Sequence, residues 1–364
     1  MPRLYYVQWL RVFLIVLVVA HHAGQPYGPT GGEWPVEDPA DAEWLGPFFA
    51  VNAAFFMGFF FLISGYFVAD SFDRKGAAAF TRDRLIRLGV PLLVVALVVF
   101  PALIYAWQRP AADFLSFYVG QYVGRWQIEM GHLWFVAQLL AFSLLYVLFR
   151  LWQGRRGVRR GPPLNVPGDG TILAYALALA VVGALVRTRY PQDRWVDVLW
   201  LVPAEPAHLP QYVSLFAIGI VAGRGAWFAK LPDAVGRRWF AVGLAAFVLA
   251  MAMYAFRDRL AAVLDVQVAW GGFEAFVCVG LIVGLLVLFR RRFAAPSPWL
   301  SRLDANVYGV YIVHWFVVVA LQAAILGLAW PATAKFLAVT VAGTAASFAL
   351  AALLRTIPGV ARVL

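Results

Sequence analysis

The chain has 364 residues, of which 63% are hydrophobic and only 13% charged, with a mean hydropathy of +0.76. Soluble domains run at about 45 to 50% apolar and 25% charged, so a soluble globular protein is excluded. The net charge of +11 does not indicate a nucleic-acid partner, because Lys and Arg come in small groups between apolar runs rather than on one face or arm.

The apolar residues fall into runs of about 20, each long enough to cross a hydrocarbon core about 30 Å thick. Ten spans are predicted, at 4–23, 47–69, 88–107, 131–150, 171–187, 210–228, 239–256, 272–289, 305–329 and 332–354. The expected fold class is therefore all-α, a polytopic transmembrane helix bundle in a lipid bilayer. It forms one membrane-embedded domain over 1–364, with no loop long enough for a soluble domain and no internal repeat. The 31 Gly, 21 Pro and 16% aromatics suit membrane helices with broken ends and aromatic belts. The single cysteine, Cys278, excludes an intrachain disulfide and a cysteine-rich metal site. Counted by alternate sides, 21 of the 30 Lys and Arg fall on one side and 8 on the other, with Arg11 inside a helix. The positive-inside rule then places both termini in the cytoplasm of a multi-pass protein of the inner, cytoplasmic membrane. The first outer loop leans the other way, carrying Glu33, Glu37, Asp38, Asp41 and Glu43 with no Lys or Arg.

The first span is not expected to be a cleaved signal, because Arg11 interrupts its apolar body and no small-residue cleavage site follows. An arginine in a span costs at least roughly 2.5 to 3.5 kcal/mol and usually faces protein or a water-filled cavity. Arg11 and His22 are eleven residues apart, three turns plus about 20°, so they share one helix face about 16 Å apart. That stripe links the inner half to the outer end. Arg11 snorkelling to inner headgroups, with His21 and His22 as wet interfacial residues, is the competing account. His21, His22, His132 and His208 lie at predicted outer ends, and His314 near the middle of the ninth span. Histidine can act as base and then acid near neutrality, so an outer vestibule with His22 and His132 suits proton transfer. No His-x3-His or His-Glu-x2-His spacing supports a metal, and none is expected.

At the second span's inner end, Ser64 and Gly65 are small enough to admit a neighbouring helix or a ligand tail. No Gly-x-Ser-x-Gly elbow marks Ser64 as a nucleophile. Arg82, Arg84 and Arg87 follow at the inner surface. Guanidinium forks there can hold the phosphates of a polyanionic cofactor, or simply meet anionic lipid. The fourth span opens with Glu129, His132 and Trp134; if that turn is helical, Glu129 can orient His132 or receive a proton, or only complement the helix dipole. Glu205 and His208 repeat the spacing, but Pro206 and Pro210 make a turn the favoured reading. In the ninth span Tyr311 stands beside a buried His314, for which a histidine merely hydrogen-bonded within the bundle is the favoured reading.

These segments resemble the membrane-bound acyltransferase 3 family, in its branch containing the glucan biosynthesis C proteins. The carriers are the Arg-x10-His of Arg11 and His22, the Phe-Phe-x-x-Ser-Gly-Tyr run ending at Tyr66 and the Arg-x-x-Arg-x-x-x-Pro of Arg84, Arg87 and Pro91. Gly-His-Leu-Trp-Phe at 131 to 135 and Tyr311-x-x-His314 complete them. The resemblance covers nearly the whole chain. It implies an O-acyltransferase that moves an acetyl or succinyl group from cytoplasmic acyl-CoA to a hydroxyl of an extracytoplasmic glycan. It further implies that His22 is the catalytic base for the acceptor hydroxyl or a transient acyl carrier, and Glu129 and His132 are the further catalytic candidates. Arg11, Ser64, Arg82, Arg84, Arg87 and His314 would bind the acyl-CoA, and Trp134 and Tyr311 the acceptor. His132 and Trp134 are the candidates for stabilising the oxyanion. The rival classes are a secondary transporter or proton-coupled permease, since intramembrane Arg and His also mark ion paths, and a non-catalytic, flippase-like component.

Overall fold

The computed structural model describes residues 4–29, 34–156, 162 and 164–364. Of the charged residues counted above, Arg3, Glu33, Arg159 and Arg160 lie outside these. Every one of the ten predicted spans is helical. They are α1 (Tyr5–Gly24), α2 (Leu45–Arg84), α3 (Phe100–Gln108), α4 (Trp134–Arg155) and α5 (Asp169–Arg187). After them come α6 (Leu209–Gly225), α7 (Asp233–Ala255), α8 (Val266–Arg292), α9 (Pro298–Ile325) and α10 (Ala332–Leu354). Among the described residues, eight helical runs are long and apolar enough to cross a membrane. The count is lower than ten for two reasons. The second and third spans form one helical run, Leu45–Gln108, broken in φ/ψ only at Gly76 (φ +76°), while α6 has only 17 residues. Two π-helical turns, Leu85–Gly89 and Val95–Val99, carry that run past Pro91. A proline lacks the N–H that a regular α-turn needs, and a widened turn absorbs it.

The helices sort into two compact units. The first comprises 1–71, 160–195 and 205–356 and holds α1, most of α2 and α5 to α10. Its centre is α8, 72% of whose apolar window is buried against 22% for α5 and for α10. Side chains that would face lipid elsewhere are turned inward there, because α5, α7 and α1 all pack on α8. Close approach is bought with glycine: a Cβ on Gly219 would stand 2.3 Å from the Leu62 carbonyl, and one on Gly65 2.2 Å from that of Phe216. The α2 and α6 backbones therefore touch directly, which in a membrane substitutes for a hydrophobic drive between helices. Gly65 is thus a packing residue. α1 packs on α9 and α10 as well.

The second unit comprises 72–159, 196–204 and 357–364. It holds the C-terminal end of α2, the π-helical run, α3, α4 and a short antiparallel hairpin of β1 (Val196–Val198) and β2 (Val202–Ala204). The Gln138 amide of α4 donates to the Pro203 carbonyl of β2 at 2.9 Å.

Candidate functional site

The stripe on α1 faces α9. The Arg11 guanidinium pairs with Asp304 at 2.8 Å, and Gln8, one turn earlier, donates to the other Asp304 oxygen at 3.0 Å. Eleven residues on, His22 meets His314, which lies ten residues beyond Asp304. The two helices therefore run parallel, with polar groups matched at both levels. A carboxylate opposite an intramembrane arginine is the pairing that makes such an arginine tolerable. His21 turns the other way. Its ring lies among Phe49 (5.0 Å) and Phe56 (5.3 Å) of α2, so one member of the doublet is packed in aromatic side chains and the other joins the polar stripe.

The tautomers of the pair follow from its neighbours. Nδ1 of His22 is 2.8 Å from Nε2 of His314, and the ring planes are within 12° of each other. Nδ1 of His314 faces two acceptors, the carbonyls of Tyr311 (2.7 Å) and Val310 (3.2 Å). A carbonyl cannot donate, so Nδ1 of His314 carries the hydrogen, and Nε2 of neutral His314 must accept. His22 therefore donates from Nδ1, and its Nε2 holds the lone pair. A fixed tautomer of this kind is what a general base requires. His314 is fully buried and belongs to α9, whose own backbone carbonyls hold its ring. Tyr311 contributes that carbonyl, with its ring 5.7 Å from the His314 ring.

Two further residues complete this cluster. The Trp34 indole stacks on the His22 ring at 5.3 Å and 21°, and its N–H donates to Oε1 of Gln322 at 2.8 Å. Gln322, fully buried on α9, donates to the His22 and Ala23 carbonyls at 2.9 and 3.2 Å. Ser64 is half-buried on α2 in the same unit.

The second unit holds the other predicted residues. Arg82 is exposed at the edge of an apolar groove of about 550 Å³, lined also by Ala77, Ala78, Thr81, Val147 and Leu151. Arg84 lies with its guanidinium 4.8 Å above the Phe80 ring, and its buried Nε has no hydrogen-bond partner among the described residues. Arg87 is exposed one turn on. Residues 127–130 are not helical. The Glu129 carboxylate accepts the Gly131 N–H at 2.6 Å, and the Glu129 N–H donates to the Tyr122 hydroxyl. His132 is buried in a 3-10 turn, edge-on to Phe100, and Trp134 opens α4.

A buried chain of charges in the first unit had no counterpart among the expected site residues. The Glu205 carboxylate accepts the Asp193 N–H at 2.9 Å and meets Nδ1 of His208 at 2.6 Å. Nε2 of His208 is 2.6 Å from Glu274, which in turn binds Arg187. Burial works against the charged imidazole of His208, but the two carboxylates outweigh it and raise its pKa to about 10. With a carboxylate on each nitrogen, His208 is a fixed cation rather than a shuttle. The segment before α6 is indeed a turn, as Pro206 and Pro210 suggested, and it also anchors this chain. The available signal was Glu274, a lone carboxylate inside an otherwise apolar span.

A family model described as an acyltransferase domain, that of acyltransferase 3, matches residues 4–355. Among curated proteins, the chain is 27% identical over 199 residues to the glucans biosynthesis protein C of Salmonella schwarzengrund, and equally to those of Salmonella typhi and Salmonella typhimurium. Each match covers 52% of this chain and 51% of the relative, so the chain spans about half the length of the curated relatives it matches. No solved structure matches.

Proposed function

The chain belongs to the acyltransferase 3 family, and from that premise we propose that it moves an acyl group from acyl-CoA to a hydroxyl of a glycan. His22 is the general base. Its Nε2 takes the proton of the acceptor hydroxyl as that oxygen forms a bond to the thioester carbonyl. The C–S bond then breaks, the CoA thiolate leaves, and the proton ends on its sulfur. His314 holds the bond from Nδ1 throughout, and that bond strengthens when His22 becomes an imidazolium. The observation that carries the reading is the near-coplanar His22–His314 pair, whose surroundings leave Nε2 of His22 as the basic atom.

Arg82, Arg84 and Arg87 take the phosphates of the donor, with the adjacent apolar groove suited to its less polar parts. Arg11 supports the donor side while paired with Asp304. His132 and Trp134 are assigned to the oxyanion, Glu129 to proton transfer beside His132, Trp134 and Tyr311 to the acceptor, and Ser64 to the donor arm. The charge asymmetry of the loops supports cytoplasmic termini, an inner-membrane location and an extracytoplasmic acceptor. The relatives' name supports a glucan-like acceptor, and acetyl and succinyl are the two donors to try first.

The test presents the purified protein with labelled acetyl- and succinyl-CoA and a panel of cell-envelope glycans. Label is expected to move to a glycan with wild type. His22→Ala is expected to bind donor and transfer nothing. Unchanged transfer by His22→Ala removes that residue from the mechanism. Movement of a solute gradient with no label transfer favours a transporter.

A further inference from the structure

Resting on the reading of His22 as the base, we infer that Trp34 and Gln322 are a positioning pair that holds the His22 ring in its reactive orientation. A histidine ring turns broadly about χ2. The bond to His314 pins one nitrogen but leaves the plane free to tilt about the N···N line. Trp34 removes that freedom. Its indole lies nearly parallel to the imidazole, 21° off at 5.3 Å, on the face that a tilt would have to sweep. Trp315 stands edge-on to the same indole at 5.9 Å and 64°.

Gln322 ties the indole to the backbone that carries the histidine. Its amide N–H groups point at the His22 and Ala23 carbonyls in the last turn of α1, so its amide oxygen is the atom left for the indole N–H. Carbonyls in the last helical turn have no partner within the helix. One buried side chain therefore satisfies the end of α1 and grips Trp34 at 2.8 Å. Stack and clamp share a single reference frame, the last turn of α1. An indole over the ring also stabilises the imidazolium that His22 becomes during transfer. Neither residue donates or removes a proton in the reaction, so both act through His22.

The experiment uses full-length protein labelled with 15N-histidine, with His22→Asn to assign the His22 signals, and compares wild type with Trp34→Leu, Trp34→Phe and Gln322→Leu. In wild type the His22 nitrogens are expected to report a single Nδ1–H tautomer. Trp34→Leu is expected to keep that tautomer, which His314 sets, but to broaden the His22 Nε2 signal as the ring tilts, and to lower kcat roughly 10- to 100-fold, with the donor KM within about twofold. Trp34→Phe keeps a ring face but loses the N–H that Gln322 holds, and is expected to fall between wild type and Trp34→Leu in both line width and kcat. Gln322→Leu leaves the indole but removes its clamp and is expected to match Trp34→Phe, and Gln322→Leu combined with Trp34→Leu to be no worse than Trp34→Leu alone. A narrow His22 Nε2 signal and wild-type kcat in Trp34→Leu would overturn the inference. So would equal losses in Trp34→Phe and Trp34→Leu, which would mean that bulk rather than the ring face matters. Should Gln322→Leu fail to fold, the two Trp34 variants decide. If wild type transfers no acyl group from any donor, the assignment of His22 as base fails, while the nitrogen spectra still decide whether Trp34 orders the ring.

Discussion

Removing Arg187 alone, Glu274 alone, or both tests the buried charge chain most sharply. In wild type the four side chains Arg187, Glu274, His208 and Glu205 carry two positive and two negative charges, all nine-tenths or more buried. Arg187→Met leaves one surplus negative charge, and Glu274→Gln one surplus positive charge. Stripping one partner from a buried pair costs about 3 to 5 kcal/mol, because the remaining charge has lost its solvent and its counter-ion together. The double variant restores neutrality, with His208 and Glu205 still paired. Its cost is therefore expected to fall well below the sum of the two singles, with a coupling of about 2 kcal/mol or more. The assay is thermal unfolding in a mild detergent, where each single variant is expected to fall by on the order of 5 to 10 °C and the double by less than either. Additive losses, or single variants within about 1 kcal/mol of wild type, would refute the claim that the cluster acts as one neutral unit. Its pH dependence has a definite sign. The raised pKa of His208 stabilises the fold fully below its ordinary value of 6.5, and that contribution is lost as pH rises through about 10. Burial pushes the Glu205 carboxyl up, but the His208 cation outweighs it and holds it below its ordinary value of 4.5. That contribution is present above 4.5 and lost as pH falls below it, so stability is expected to peak between about 4.5 and 6.5.

Three other predictions follow from separate parts of the molecule. His314→Phe keeps the bulk but removes the acceptor for the His22 Nδ1–H, and kcat for acyl transfer, measured at saturating donor, is expected to drop roughly 100-fold or more. Arg84→Gln is expected to raise the donor KM severalfold with kcat nearly constant, the pattern of lost uniform binding; an unchanged KM would separate Arg84 from the phosphates. Gly219→Ala places a methyl 2.3 Å from the Leu62 carbonyl, and the resulting separation of α2 from α6 is expected to cost about 1 to 3 kcal/mol, read as a lower midpoint than Gly272→Ala, where space is open.

The ten helical spans and the α1 stripe were legible in the sequence, whereas the continuation of α2 to Arg84 and its merging with the third span were not. A bilayer forces every backbone polar group to be satisfied within its own segment, so hydropathy and helical period are local properties. Arg11 and His22 needed only the 100° step to be placed on one face. Which neighbour that face meets is a different kind of fact. Asp304 and His314 lie about 290 residues along the chain, and only packing brought them opposite Arg11 and His22. The same holds for Trp34 and Gln322, which belong to no short motif, and for Glu274, whose partners come from α5 and the turn before α6. Glu129 shows the converse: a helical spacing to His132 was legible, but Gly131 adopts φ +45° and the carboxylate folds back onto the Gly131 N–H. Local periodicity decides which residues can share a helix face, whereas the tautomer of a histidine and the counter-ion of a buried charge are set by atoms distant in sequence, which only the tertiary structure brings within reach.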